Sequence, residues 1–390
     1  MSNVSSSNGL GKYPKLRFKG FSEPWKTIRI GEIYAERSER GAEDMKLLSV
    51  TMNDGVKMRS DIEGKDNSSE DKSNYKIVRA GDMVYNSMRM WQGANGISPW
   101  DGIVSPAYTV LKPRMPISNG FFAALFKTYR LINEFRKNSQ GMTSDTWNLK
   151  YPQIETIKTS IPTLSEQERI AEFLTSLDKR IEKQRTLVEA LKKYKRGVLK
   201  AILEQKWRFR QSDGTDYSKW ESYTLSEITE CLDSRRIPIT ANERTKGEYP
   251  YYGANGVQDF VADYIFDGEF VLLAEDGGHF NDFATEPLAQ YVSGKIWVNN
   301  HAHILKAKCN TRFLFYSLVH KDIRNYINNP SRGKLNQEDM QNIIIDLPCI
   351  EEQDRIVGAM LTLDRNIESK TSILNRLLDL KKGLLQQLFI

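Results

Sequence analysis

The chain has 390 residues, 56 Lys+Arg against 50 Asp+Glu, a net charge of +6 and a pI near 8.9. That length accommodates two domains with cores of their own, and the mild basicity permits nucleic acid as a partner without requiring it. Three scattered cysteines, Cys231, Cys309 and Cys349, spell neither a disulfide framework nor a zinc knuckle, and no segment approaches the roughly 18 apolar residues of a membrane span.

Residues 1–13 are small and polar and lack the apolar stretch of a leader peptide, so they are expected to be the disordered start of a cytoplasmic protein with no membrane role. Residues 14–160 follow as an α+β domain. Leu16-Arg17-Phe18 precedes Trp25 and Gly31-Glu32-Ile33; Lys76 to Tyr85 alternates like a strand pair around a turn; Phe121 to Phe126 suits a helix packed on a sheet. Two loops mix hydrogen-bonding and aromatic side chains with glycine, Asn86 to Gly96 and Gly141 to Trp147. Arginine can bond guanine edges, asparagine or glutamine adenine, and serine or threonine mostly phosphates. Arg89, Trp91, Gln92, Asn95, Thr143, Ser144 and Thr146 are therefore candidate DNA contacts.

Residues 161–206 read as a head and a long helix. A ladder in alternating steps of four and three, eight of its ten rungs apolar, runs through Ile170, Leu174, Leu177, Ile181, Gln184, Val188, Leu191, Lys195, Val198 and Ile202. Such a narrow stripe is a coiled-coil seam, about 60 Å long at 1.5 Å per residue. A second α+β domain spans 207–346, again opening on Arg-Phe (Trp207-Arg208-Phe209), then Trp220 and Ser226-Glu227-Ile228. Phe270 to Ala274 is a fully apolar strand, and Phe313 to Leu318 a second packed helix. Its loops contribute the candidates Arg235, Arg236, Tyr251, Tyr252, Asn255, His279, Arg332 and Lys334. Residues 347–390 close the chain with a second head and ladder: Ile356, Met360, Leu363, Ile367, Lys370, Leu374, Leu377, Lys381, Leu384 and Leu388.

The heads are copies. Pro162 to Ile170 returns 186 positions later as Pro348 to Ile356, and 13 of 43 positions agree between 161–203 and 347–389. That period is far beyond the 20–50 residues of a solenoid unit, so the duplicated unit is a whole domain with its helix. Both ladders carry polar residues at the same rungs, Gln184/Lys370 and Lys195/Lys381, which fix register at some cost in stability. Pseudo-twofold symmetry makes the two helices antiparallel partners. The first is the more basic, with 11 Lys+Arg to 7 acids over 164–206, against six of each over 349–390. The domains between the matching ends diverge, which suits one scaffold carrying two different recognition surfaces.

Catalytic signatures are absent from the sequence. Ser105-Pro106-Ala107-Tyr108 lacks the second proline of an amino-methyltransferase tetrad, and no Phe-x-Gly-x-Gly cofactor loop or P-loop is present. His301 and His303 share a strand face, but no carboxylate stands at ligand spacing, so no metal is expected. A self-sufficient methyltransferase or nuclease would need a cofactor pocket; a coiled-coil scaffold with no DNA role would need neither.

The doubled Pro-x-x-x-Glu-Gln-x-Arg-Ile heads resemble the specificity subunit of Type I restriction-modification systems. So do the Leu-Asp-x-x-Ile helices behind them, the Arg-Phe openings, and Tyr251-Tyr252-Gly253-Ala254-Asn255-Gly256 with Ala274-Glu275-Asp276-Gly277. The resemblance covers essentially the whole chain. It implies two target-recognition domains, each reading one half of an asymmetric, split duplex DNA target, on an antiparallel coiled coil that sets the spacer and docks two modification subunits. It also implies a subunit with no catalysis and no cofactor of its own. S-adenosylmethionine would belong to the modification subunits; ATP and magnesium would serve the partner subunits, restriction/translocase subunits included.

Overall fold

Each half of the chain opens on the same frame. In the first, strand Lys26–Arg29 pairs antiparallel with Lys158–Ile161; in the second, Glu221–Thr224 pairs with Ile344–Leu347. Each opening strand runs into one helical turn, Ile30–Ile33 or Leu225–Ile228, whose glutamate reaches back to the N-cap amide. The Glu32 and Glu227 carboxylates accept the amides of Arg29 (2.9 Å) and Thr224 (2.7 Å), satisfying donors that a helix start leaves open. That need explains why Glu-Ile recurs. Gly31 answers to crowding instead, because a Cβ there would lie 2.8 Å from the Glu155 Cβ.

The computed structural model describes residues 2–3, 13–41, 44–52, 55–64, 66, 68–143, 146–327 and 333–390. The expected disordered start, 1–13, falls almost wholly outside them. The chain divides into two units, Met1–Thr186 with Thr371–Ile390, and Leu187–Lys370. The divisions fall inside the two long helices rather than at 160/161 and 206/207, where the sequence pattern changes.

In the first unit a four-stranded antiparallel sheet runs in the order Tyr34–Glu36, Tyr108–Pro113, Met83–Asn86, Asn95–Ile97. Helices Asn119–Leu125 and Tyr129–Asn138 cover it, burying Phe121, Phe122, Leu131 and Phe135 with Tyr34, Met83, Tyr85 and Leu111. The expected strand pair within Lys76 to Tyr85 is corrected here. Both stretches are strands, but Lys76–Val78 pairs with Gly102–Val104 while Met83–Asn86 joins the larger sheet. The turn between them is held by Asp82, which accepts the Arg79 amide (2.8 Å) and the Arg37 guanidinium (2.7 and 3.2 Å), so the chain passes from one ladder to another.

The second unit holds a six-stranded sheet, ordered Thr229–Cys231, Ala302–Ala307, Phe266–Ala274, Ala289–Val298, Lys246–Gly253, Gly256–Val261. Its central strand shows why Phe270 to Ala274 does not alternate. Val271 and Leu273 pack into the core that includes helix Thr311–Leu318, while Phe270 and Leu272 pack into a second core on the other face. A strand covered on both faces reads as a continuous apolar run.

The long helices are Leu164–Leu203 and Ile350–Leu388. Within the first unit Ile170, Leu174, Leu177 and Ile181 share a core with Leu384, Leu388 and Phe389, so the start of one helix meets the end of the other, antiparallel. Within the second unit Leu199 and Ile202 share a core with Ile356, Val357 and Met360, with Val198 and Leu363 packed against it. Every rung of both ladders is buried or half-buried, Gln184, Val188, Leu191, Ile367, Lys370, Leu374 and Leu377 included, and the flanking faces are largely exposed.

Candidate nucleic-acid interface

The recurrent head is a clamp that fixes each α+β domain to its helix. Glu166, 1% exposed, takes a bidentate pair from Arg17 (2.7 and 2.8 Å), whose Nη2 also donates to the Glu23 carbonyl at 2.6 Å. In the second copy Glu352 takes Arg208 (2.7 and 3.2 Å) and the indole N–H of Trp220 at 3.0 Å. The next residue works the same way twice. The Gln167 carboxamide donates to the Pro162 carbonyl and accepts the Ser118 amide (both 3.1 Å); Gln353 donates to Pro348 (2.8 Å) and accepts the Asn310 amide (3.0 Å). Each Glu-Gln pair thus ties the Arg-Phe opening, the helix head and the start of the domain's packed helix into one node. The motif is structural in its chemistry.

The polar rungs are paired by the same symmetry. Lys381 bonds Asp178 at 2.6 Å in the first unit, and Lys195 bonds Asp364 in the second, where the Tyr316 hydroxyl also donates to Asp364 at 2.6 Å. Both aspartates stand one position after a seam leucine, at Leu177-Asp178 and Leu363-Asp364.

In the first domain the structure joins the two candidate loops. Leu149 donates to the Ser87 carbonyl (2.8 Å), and the rings of Trp91 and Trp147 meet edge-on with centroids 5.2 Å apart. The Arg136 guanidinium lies over Trp147, and Arg89 donates to Gln92 Oε1 at 3.3 Å. Thr143 and Thr146 sit on an exposed turn closed by their own bonds, beside the fully exposed Met142. Ser144 lies outside the described residues. Asn95 is a correction. It is fully buried, and its Nδ2 donates to the carbonyls of Gly93 (3.2 Å) and Phe126 (3.4 Å), so it braces the loop from inside and does not reach DNA. Trp147 and Arg136 were missed as candidates, although Trp147 closes a loop already singled out by its composition.

In the second domain Arg235 is exposed over the Phe266 ring, Tyr252 is half-buried, and Asn255 projects from a turn with its Nδ2 bonded to the Gly277 carbonyl at 2.9 Å. His279 is half-buried in a turn whose carbonyl accepts the Asp282 amide. Tyr251 is a second correction: it faces the core, its hydroxyl donates to the Ile239 carbonyl (3.3 Å) and Arg244 covers its ring. Arg332 lies outside the described residues. Arg236 and Lys334 belong to an ionic network. Arg236 bonds Glu275 (2.6 Å), Asp233 (3.3 Å) and the Ala302 carbonyl (3.0 Å), and Lys334 reaches Glu275 at 3.4 Å.

At the centre of that network Asp233, Glu275 and His303 bring ligand-type atoms within 4.8 Å of one another, which linear spacing did not reveal. His303 meets Asp233 Oδ2 at 2.5 Å and the Leu335 carbonyl at 2.9 Å, one through each ring nitrogen. Burial pushes the Asp233 carboxyl up, but the bond and charge of His303, the Ile304 amide and Arg236 together draw it below the usual carboxylate range. Arg236 and Lys334 pair with the same carboxylates and tie the three residues into one network. The network is a brace.

The profile of the Type I restriction modification DNA specificity domain matches residues 22–192 and again 217–379. Over 143 residues the chain is 36% identical to a putative type I restriction enzyme specificity subunit of Haemophilus influenzae, a stretch of 36% of each chain. A putative type I specificity subunit of Mycoplasma pneumoniae is 28% identical over 35% of this chain and 37% of its own. The chain therefore spans little more than a third of the first curated relatives it matches. A Type I restriction enzyme specificity subunit of Methanocaldococcus jannaschii, MjaVIII, is 24% identical over 75% of each chain. Among solved structures, the S subunit of a Type I restriction-modification system from M. genitalium shares the fold, with a TM-score of 0.58, 16% identity, and 97% of this chain and 99% of that one covered.

Proposed function

This chain belongs to the Type I restriction-modification DNA specificity family, two copies of whose domain it carries, and from that premise we propose that it is the non-catalytic specificity subunit of such a system. Each recognition domain reads one half of an asymmetric, split target in double-stranded DNA, and the paired helices set the spacer and dock two modification subunits. Methyl transfer with S-adenosylmethionine, and ATP- and magnesium-dependent translocation and cleavage, belong to those modification subunits and to restriction subunits in the same cytoplasmic assembly.

One observation carries this reading: the Arg–Glu–Gln core of the anchoring clamps is the same in both copies while the loops they hold are not. Arg17–Glu166–Gln167 and Arg208–Glu352–Gln353 repeat bond for bond, yet the first domain offers Arg89, Gln92 and the Trp91–Trp147 pair where the second offers Arg235 and Asn255. Equal mounts with unequal faces fit two unlike half-sites, each contributing about 1–3 kcal/mol per good base contact.

Coexpression with the cognate modification subunit, followed by methylome sequencing, tests it. The expected result is adenine methylation at one split, asymmetric sequence and no methyl transfer by this chain alone. Methylation by the isolated chain, or a continuous target, overturns it.

A further inference from the structure

A hollow of about 320 Å³ opens on the second domain, between the turn after Gly253, the loop after the central strand and the strand head at His301. It is lined by Asn255, Gln258, Asp276 and His301. Its hydrogen-bond orientation is set by backbone groups. The His301 amide donates to Asn299 Oδ1 (2.8 Å), so the Asn299 amide nitrogen must face Gln258 and donates to its Oε1 at 3.2 Å. The Gly277 carbonyl can only accept, so Asn255 presents Nδ2 to it. His301 Nδ1 meets Asp276 Oδ1. Asn255 Oδ1 and Asp276 Oδ2 are left without partners among the described residues.

The hollow therefore offers two acceptors, Asn255 Oδ1 and the charged Asp276 Oδ2, beside the amide donor Gln258 Nε2. A carboxylate on a surface that approaches phosphates is repelled by them, and it gains from the approach only where it meets a donor. In the major groove the donors on base edges are the exocyclic amino groups of adenine N6 and cytosine N4. The geometry points to this hollow as a base-reading subsite of the second domain, taking the amino group of an adenine or cytosine on Asp276 and Asn255, with His301 orienting Asp276. The space is conditional on glycine: a Cβ on Gly253 would lie 2.2 Å from the Gln258 carboxamide nitrogen and shift that wall.

The inference rests on the proposed function and is separable from it. The full complex, assembled with its modification subunits, would methylate a library randomised in both half-sites. Wild type should distinguish a base pair from its reverse at one position of one half, because every pair carries one adenine or cytosine amino group and only its strand differs. In Asp276→Ala and Asn255→Ala, discrimination at that position should fall by about 5- to 150-fold, while the other half-site keeps its preference and so reports that the protein is folded. If Asp276→Ala does not fold, the isosteric Asp276→Asn carries the test and should shift the same position. Variants that leave the target unaltered, or that weaken all sequences equally as a phosphate contact would, overturn this inference alone. A wild-type complex with no split target overturns the function, and the inference with it.

Discussion

Removing Glu166 should be among the most damaging single changes in the first unit. Its carboxylate is 1% exposed and its partner Arg17 3% exposed, joined by two bonds of 2.7 and 2.8 Å. Among the described residues Glu166→Ala leaves the buried guanidinium only the Glu23 carbonyl as acceptor, and breaking a buried pair in this way costs about 3–5 kcal/mol. Replacing both members, Arg17→Met with Glu166→Leu, removes the stranded charge as well and should return stability to within about 1 kcal/mol of wild type. Glu352→Ala should cost less, about 2–3 kcal/mol. Arg208 is 23% exposed and can hydrate, although the Trp220 indole loses its acceptor. Hydrogen exchange across residues 26–29 and 158–161 reports the first unit by itself, where global unfolding of a two-unit chain would mix signals. The loss should be nearly the same at 0.1 and 0.5 M salt, since buried pairs are weakly screened. A cost under 1 kcal/mol for Glu166→Ala, or a double variant as damaged as the single one, refutes the clamp.

Asp178→Ala should change thermal stability by no more than about 1 kcal/mol, because its bond to Lys381 is solvent-exposed; Asp364→Ala should cost about 1–3 kcal/mol, because Tyr316 also donates to it. The depressed Asp233 carboxyl stabilises the fold above the unfolded-chain value near pH 4, and that stability is lost as pH falls through its lower folded value. Urea midpoints measured from pH 6 down to 2 should therefore show a shallower acid limb in Asp233→Asn than in wild type. Under the proposed function, Arg89→Ala should relax the base preference at one position of one half-site by about 1–3 kcal/mol, with the other half unaltered in the same library assay; two unaltered halves remove Arg89 from the interface.

The scaffold was legible because its signals are local or doubled. The ladders show in their own spacing, and the heads show because 161–203 can be laid on 347–389. What the Glu-Gln pair does was not legible, since Arg17 and Glu166 are 149 positions apart. The same limit hid the meeting of Trp91 with Trp147 and the gathering of Asp233, Glu275 and His303, which only the sheet brings together. Composition also misplaced Asn95 and Tyr251. A loop rich in hydrogen-bonding residues must satisfy its own carbonyls before any partner's, and Asn95 is spent there. Tyr251 lies on an inward-facing strand position that its neighbours in sequence do not reveal.

The aromatic cluster at the base of the first unit has a consequence for biosynthesis. Phe389 packs on Trp25 and Phe121, with ring centroids 6.3 and 5.2 Å away, so residues on either side of the second unit in sequence must meet before that cluster closes. A ribosome adding about 5–20 residues per second spends roughly 10–40 s on the intervening second unit. Throughout that interval Ile170, Leu174 and Leu177 lack the strip that will cover them. A nascent chain halted after Lys370 would emerge with its leading domain uncapped and adhesive, a natural client for chaperones and proteases.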